Sequence, residues 1–149
     1  MKKFVFSLNA LYEVKKTQKD RLQAEFAAAE AAHRVAAQKK ADLEKTLDDK
    51  KEEFEKKASN GITVSELNGY DAYFEEMQER IKAAGKEVDR TLREVNQRRN
   101  ELVAVFKEIK VLEKLYEKQY SEYLKEFEKS ETKAVEDIVS FKVTDIQSS

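Results

Sequence analysis

The sequence has 149 residues, of which 40% are charged and 40% hydrophobic, and its formal net charge is −1. Because it has no cysteine, it can form neither disulfides nor thiolate metal sites, and its near-neutral charge does not indicate a nucleic-acid surface. Three glycines, no proline and a mean hydropathy of −0.79 are typical of a long helix or coiled coil, which has a thin seam rather than a core enclosing a catalytic pocket.

The apolar stretch near the amino terminus is the one feature that resembles a secretion signal. Ser7, Asn9 and Glu13 interrupt it, and no segment approaches the ~18–20 apolar residues that span a bilayer. We therefore expect a soluble, cytoplasmic protein with no direct membrane insertion.

A first helix is predicted over residues 5–58, because seam positions recur at alternating steps of four and three. These positions are Leu8, Tyr12, Lys15, Lys19, Leu22, Phe26, Ala29, His33, Ala36, Lys40, Leu43, Leu47, Lys50 and Phe54. Four of them are lysines, which are the weak points of this seam.

The segment 59–65 is the clear break in this pattern. Gly61 can adopt the left-handed conformation that ends a helix. Ser65 or Asn68 can accept hydrogen bonds from the free amides that begin the next helix. We therefore expect a turn at 59–65.

A second helix is predicted over residues 66–139, followed by a tail at 140–149, within a single domain. Its seam positions are Tyr70, Phe74, Met77, Ile81, Ala84, Val88, Thr91, Val95, Arg98, Leu102, Val105, Ile109, Leu112, Tyr116, Gln119 and Tyr123.

Folding the chain back at the turn pairs residues whose numbers sum to about 124. Phe54 then meets Tyr70, and His33 meets Thr91. The sequence therefore predicts an all-α fold, an antiparallel two-helix coiled-coil hairpin in which the second helix is longer and overhangs.

The overhang and the turn each carry aromatic residues that need explaining. Tyr116 and Tyr120 can cover the start of the chain. Tyr123, Leu124 and Phe127 lie at or past the end of the paired helices and need another partner. Tyr73 lies beside the seam near the turn, where an aromatic ring in a polar rod indicates a binding surface.

The sequence gives little support for catalysis, and we predict no enzyme, no cofactor and no metal site. His33 is the only histidine, and it falls on the seam. Arg98 falls on the seam opposite Phe26. We expect its side chain to stack on that ring, which accounts for a basic residue at this position without a role in nucleic-acid binding.

Three segments resemble the FliJ family of the bacterial flagellar export apparatus, which is a type III protein export system. They are Phe4-x-Phe6-x-Leu8-x-x-Leu11 at the start; Glu66-Leu67-x-x-Tyr70-x-x-Tyr73-x-x-x-Met77-x-x-x-Ile81 after the turn; and Lys110-x-Leu112-Glu113-Lys114-Leu115 with Glu122-Tyr123 and Glu131-x-Lys133. The end departs from the family pattern, with Glu136-Asp137-Ile138 in place of an Asp-Glu pair followed by a small apolar residue, and with no counterpart for 140–149.

This resemblance implies a stalk similar to the gamma subunit of rotary ATP synthases. The implied partners are a hexameric export ATPase, the export-gate membrane protein and substrate-specific export chaperones, at the cytoplasmic face of the membrane. The implied ATPase-binding residues are Phe4, Phe6, Leu8, Tyr116, Tyr120, Tyr123, Leu124 and Phe127. The implied gate-binding residues are Tyr70, Tyr73 and Met77.

The alternative is a general coiled-coil scaffold or a prefoldin-like chaperone. Hairpins of the prefoldin type need a β-strand hub, and the β-like stretches here, residues 61–64 and 139–143, are short and isolated.

Overall fold

A computed structural model describes residues 2–148 and shows two long α-helices, α1 (Asn9–Asn60) and α2 (Val64–Ser148), packed as an antiparallel hairpin. No strand occurs within residues 2–148. The predicted all-α hairpin with a longer second helix is therefore confirmed. Both β-like stretches lack strand structure, since residues 61–63 form the connection and residues 139–143 lie inside α2.

α1 begins at Asn9, four residues after the expected start. Residues 2–6 have no regular secondary structure and residues 7–8 form a turn, closed by the Asn9 N–H donating to the Phe6 carbonyl at 3.1 Å. The amino-terminal segment, residues 2–8, is therefore a separate element that leads into the helix.

The connection between the helices is three residues long and differs in detail from the expectation. Gly61 has a φ of 102°, a conformation that favours glycine. Thr63, rather than Ser65 or Asn68, caps α2, because its Oγ1 accepts a hydrogen bond from the Glu66 N–H at 3.1 Å.

α2 continues to Ser148, so the residues expected to form a tail after 139 are helical as far as the structure describes them. No glycine or proline follows Gly85 in the sequence, and nothing there interrupts helix propagation. The extension adds more than two turns to the overhang.

The chain divides into two compact units. The turn unit, Asp20–Val103, buries a seam formed by residues of both helices: Leu22, Ala29, Ala36, Leu47, Tyr70, Met77, Thr91 and Val95. Phe54 meets Tyr70 with ring centroids 5.2 Å apart, as the pairing rule predicts.

The terminal unit comprises the described residues up to Lys19 together with those from Ala104. Its buried residues are Phe6, Val105, Ile109 and Leu112. Lys15, predicted as a weak seam position, forms an ion pair with Glu108. Its alkyl stem covers the seam while its charge is neutralised.

Candidate partner-binding surfaces

The amino-terminal segment packs its two phenylalanines against α2. Phe6 is only 6% exposed, and its ring meets Tyr116 edge-on at 5.3 Å. Phe4 lies among Tyr116, Tyr120 and Tyr123, with centroid distances of 5.4, 5.2 and 5.4 Å. Because both rings contact Tyr116, the two phenylalanines lie against the same face of α2.

An aromatic ladder runs along this face of α2, formed by Tyr116, Tyr120, Tyr123 and Phe127. Successive rings stack with centroids 6.1, 6.3 and 6.3 Å apart, because residues three and four apart are neighbours on a helix. Tyr116, Tyr120 and Phe127 remain 44%, 41% and 38% exposed. The ladder is therefore ordered by its own contacts but still open to a partner.

Tyr123 was expected to lack a partner within the chain, and this expectation is wrong. The amino-terminal segment reaches one turn further along α2 than expected and places Phe4 against Tyr123. Leu124, at 41% exposure, and Phe127 remain largely open. Leu8 is half-buried.

A shallow groove of about 330 Å³ adjoins the ladder in the terminal unit. Its lining residues are Phe6, Asn9, Tyr12, Leu112, Glu113, Tyr116 and Glu117. Because it joins an apolar floor to the ladder, it can accept an apolar side chain of a partner that lies along the ladder.

The residues implied in gate binding occupy different positions in the turn unit. Tyr70 and Met77 are seam residues, 7% and 5% exposed. Tyr73 is half-buried, and the Lys50 Nζ lies 5.2 Å from its ring centroid. Of the three, Tyr73 alone presents a substantial surface.

Two exposed apolar residues near the turn were not assigned a role from the sequence. Val64 is 74% exposed and Leu67 is 43% exposed. Leu67 lies off the seam in the stretch that carries the family resemblance, and that position was the available signal. We call Val64, Leu67 and Tyr73 together the turn surface, although at about 100° per residue they lie on different sides of α2.

The Tyr70 hydroxyl is satisfied inside the turn unit, where it donates to Glu53 Oε1 at 2.9 Å. This hydrogen bond, followed by the one from Lys50, lowers the pKa of Glu53 below its ordinary value. The contact fixes a polar tip at the edge of the seam without leaving the hydroxyl unpaired.

His33 is a polar seam residue opposite Thr91, as predicted. The Thr91 hydroxyl lies 2.9 Å from the carbonyl oxygens of Glu87 and Val88 and 3.0 Å from His33 Nδ1. Because a hydroxyl carries one proton, donation to the backbone leaves its oxygen to accept from His33 Nδ1–H. The histidine is thereby held within the helix pair.

The expected stacking of Arg98 on Phe26 is wrong, because Arg99 takes that place at 5.7 Å from the ring centroid. Arg98 instead donates to Glu94 at 3.0 Å and to Glu25 and Glu101, each at 3.2 Å. Hydrogen bonds to Glu101 and Glu94 raise its pKa above the ordinary value. A basic residue surrounded by three carboxylates holds the two helices together rather than presenting positive charge to a nucleic acid.

Exposed apolar residues continue past the ladder along α2, on more than one side of the helix. They are Val135, Ile138, Val139, Phe141, Val143 and Ile146, all between 47% and 74% exposed. No role was predicted for them from the sequence, and because the helix was expected to end at 139, Phe141, Val143 and Ile146 were placed in a tail.

The described part of the chain offers neither a metal-binding cluster nor a membrane-spanning helix. Among residues 2–148, no group of three or more His, Cys, Asp or Glu side chains could hold a metal ion. Neither helix, within the same limits, is long and apolar enough to cross a membrane.

Comparison with known proteins places this arrangement in a family. No curated protein and no solved structure matches the chain. The family model described as flagellar FliJ protein matches residues 4–145. The match extends to 145, so the expectation that residues from 140 onward lack a family counterpart is wrong for 140–145. Because the match covers nearly the whole chain, this protein belongs to the FliJ family and is a component of the flagellar export apparatus.

Proposed function

We propose that this chain is a stalk that binds the hexameric export ATPase through its aromatic ladder and the export-gate membrane protein through its turn surface. The observation that carries the proposal is the ladder itself, whose four stacked rings remain partly open to solvent on α2. Aromatic rings with one free face are the groups that contribute most to protein interfaces.

The ladder suits a ring-shaped partner because it is ordered before binding. Phe4 holds Tyr116 and Tyr120 by edge-to-face contacts, so little side-chain freedom is lost when a partner covers the remaining faces. Leu124 and Phe127 extend the same surface beyond the amino-terminal segment. The proposed ATPase-binding surface therefore comprises exposed faces of the ladder with Leu124, while Phe4, Phe6 and Leu8 support it from below.

The proposed mechanism is mechanical and allosteric rather than chemical. A helical rod without six-fold symmetry contacts six identical subunits unequally. It changes assembly or turnover of the ring only by binding some subunit states more tightly than others.

The proposed gate contact uses the turn surface. Val64 and Leu67 are exposed apolar residues in the first turns of α2, and Tyr73 follows within three turns, so a gate protein that contacts all three has to reach around the helix. Tyr70 and Met77 shape this end from inside the seam. The family resemblance extends the proposal to the handling of substrate-specific export chaperones.

The decisive experiment measures binding and turnover of the export ATPase with this chain present. Tyr120→Ser combined with Leu124→Ser removes two exposed apolar groups and should weaken ATPase binding about tenfold or more. Val111→Ser removes a residue that is 57% exposed but outside the ladder, and it should bind normally. Circular dichroism should show equal helicity for all three proteins.

Unchanged ATPase binding by the double variant would remove the ladder from the interface. If saturating wild-type chain changed neither the assembly nor the turnover of the ATPase, the stalk function itself would be wrong. For the gate, Leu67→Ser with Tyr73→Ser should weaken binding to the cytoplasmic part of the gate protein, with Val35→Ser, 69% exposed in the wild type, as the control. Equal binding by both variants would exclude the turn surface.

A further inference from the structure

The end of α2 carries a stripe whose pattern reads the same in both directions. The stripe comprises Phe127, Glu131, Val135, Ile138, Lys142 and Ile146, at successive steps of four, four, three, four and four. Such steps keep the residues on one side of a nearly straight helix. The stripe contains four apolar residues, one acid and one base.

We propose that this stripe pairs with the same stripe of a second copy of the chain, in antiparallel orientation. With the two-fold axis between residues 136 and 137, Val135 faces Ile138 and Phe127 faces Ile146. Glu131, the one acid in the stripe, then faces Lys142, the one base. Two-fold symmetry repeats each contact, so the interface holds two ion pairs between apolar layers.

The charges select both the orientation and the occupant. In a parallel pair each Glu131 would face the other Glu131, and each Lys142 the other Lys142, which is repulsive. Residues 127–146 contain five acidic and three basic side chains, so the segment as a whole is not attracted to an anionic lipid surface. A second copy supplies the acid and the base at the required spacing.

The surface is open within the described chain. Every residue from 128 to 146 is exposed, with Val135 at 58% and Ile138 at 56%. The aromatic contacts of the amino-terminal segment reach Tyr123, so its two phenylalanines stack against α2 before the stripe begins.

The size of the interface predicts a weak dimer. Two helical segments of about twenty residues bury on the order of 1,000 Å² in total, which is at the low end for specific association. We expect a dissociation constant in the micromolar range or above, so that the monomer persists at low concentration.

Sedimentation equilibrium of the whole chain, from about 1 to 500 µM, tests the pairing. The wild type should shift from monomer to dimer, and Glu131→Lys or Lys142→Glu alone should weaken association about tenfold or more. An equimolar mixture of these two variants should associate again, because each chain then supplies the charges the other needs. Lys133→Glu lies on the opposite side of α2, is exposed in the wild type, and should dimerise like the wild type.

A wild-type chain that stays monomeric at every concentration would overturn the proposal. A mixture that associates no better than its separate components would do the same, and so would a Lys133→Glu variant weakened as much as the stripe variants. Circular dichroism excludes lost helicity as the cause of any change. Phe127 belongs to both the ladder and the stripe, but the variants that test the two proposals do not overlap. Tyr120 and Leu124 lie outside the stripe, and Glu131 and Lys142 lie outside the ladder, so the two proposals can fail separately.

Discussion

Docking of the amino-terminal segment depends on Phe6, and Phe6→Ala should release it. Burial of this ring contributes about 2–3 kcal/mol, and its edge-on contact with Tyr116 about 1 kcal/mol more. Half-buried Phe4 contributes about 2 kcal/mol on the same grounds. Ordering the five residues from Phe4 to Leu8 costs about 1 kcal/mol each.

The favourable terms exceed the ordering cost by about 1 kcal/mol, so the docked segment predominates but by a small margin. Loss of about 3 kcal/mol at Phe6 should reduce the ratio of docked to free segment on the order of 100-fold. The change should leave far-UV circular dichroism almost unaltered, because residues 2–8 lie outside both helices.

Spin labels report this change directly, since the chain has no cysteine to interfere. Lys3→Cys and Lys118→Cys place labels on two exposed positions, one on the segment and one on α2. The wild-type background should give a narrow distance distribution, and the Phe6→Ala background a broad one.

Val5→Ala is the matched control, because Val5 is 77% exposed on the same segment. It should leave the distribution narrow. A narrow distribution with Phe6→Ala, or equal broadening with Val5→Ala, would refute the assignment of Phe6 as the anchor.

Three further predictions concern the turn unit, and each is tested by urea unfolding followed at 222 nm. Leu22 is 4% exposed, so Leu22→Ala should lower the free energy of unfolding by about 2–3 kcal/mol. Leu92 is 43% exposed, and Leu92→Ala should change it by no more than about 0.5 kcal/mol. Equal effects of the two variants would contradict the assignment of Leu22 to the seam. Gly69→Ala should stabilise the protein by about 1 kcal/mol, because alanine favours helix and its Cβ would meet nothing within 4 Å. Gly61→Ala should destabilise the protein, because Gly61 has a φ of 102°, which alanine rarely adopts. Effects of the same sign would contradict the turn geometry. The pKa of Glu53 is lower in the folded state than its ordinary value. Ionised Glu53 therefore stabilises the fold at pH values above its unfolded pKa, and this stabilisation is lost as the pH falls through the folded pKa. Glu53→Gln should therefore have a lower free energy of unfolding than the wild type at pH 7, and the two values should converge in acid. A difference that stays constant with pH would contradict the lowered pKa.

The seam was predictable from the sequence because its period reports directly on burial. Every predicted seam residue except Tyr116 is buried or half-buried in the structure, including the four lysines. A long aliphatic stem can cover the seam while its ammonium group reaches solvent or a carboxylate, as Lys15 does with Glu108. The contact of His33 with Thr91 followed from the same pairing rule.

The helix boundaries were less predictable because local signals compete there. The first helix was expected to begin at residue 5, but residues 2–6 are irregular in the structure, where Phe6 is buried and Phe4 half-buried against α2. At the other end, the β-branched residues near Val139 argued against helix. Their penalty in a helix is only a few tenths of a kcal/mol per residue, too small to end a helix that has no glycine or proline ahead of it.

The candidate surfaces were predicted only in part, because residue type does not reveal which face is covered. Tyr70 and Met77 match the family pattern after the turn, but the structure assigns them to the seam. Tyr73 is one position off the seam and keeps part of its ring open. Arg99 contacts Phe26 in place of Arg98 for the same reason, since one residue of offset rotates a side chain by about 100° around a helix.

The apolar residues on several sides of α2 follow from a change of partner along the terminal unit. Ile109 and Leu112 are buried in the part of α2 that lies in the helix pair, whereas Tyr116 to Tyr123 contact the irregular amino-terminal segment rather than a helix. Only two side chains of this segment, Phe4 and Phe6, stack against the rings, so it covers a narrow strip of α2 and leaves the outer faces of the rings open. After Tyr123 the stacking continues to Phe127, and the apolar face then passes to the stripe, where every residue is exposed. One continuous helix thus presents three successive surfaces, and only the first is fully covered by the chain itself.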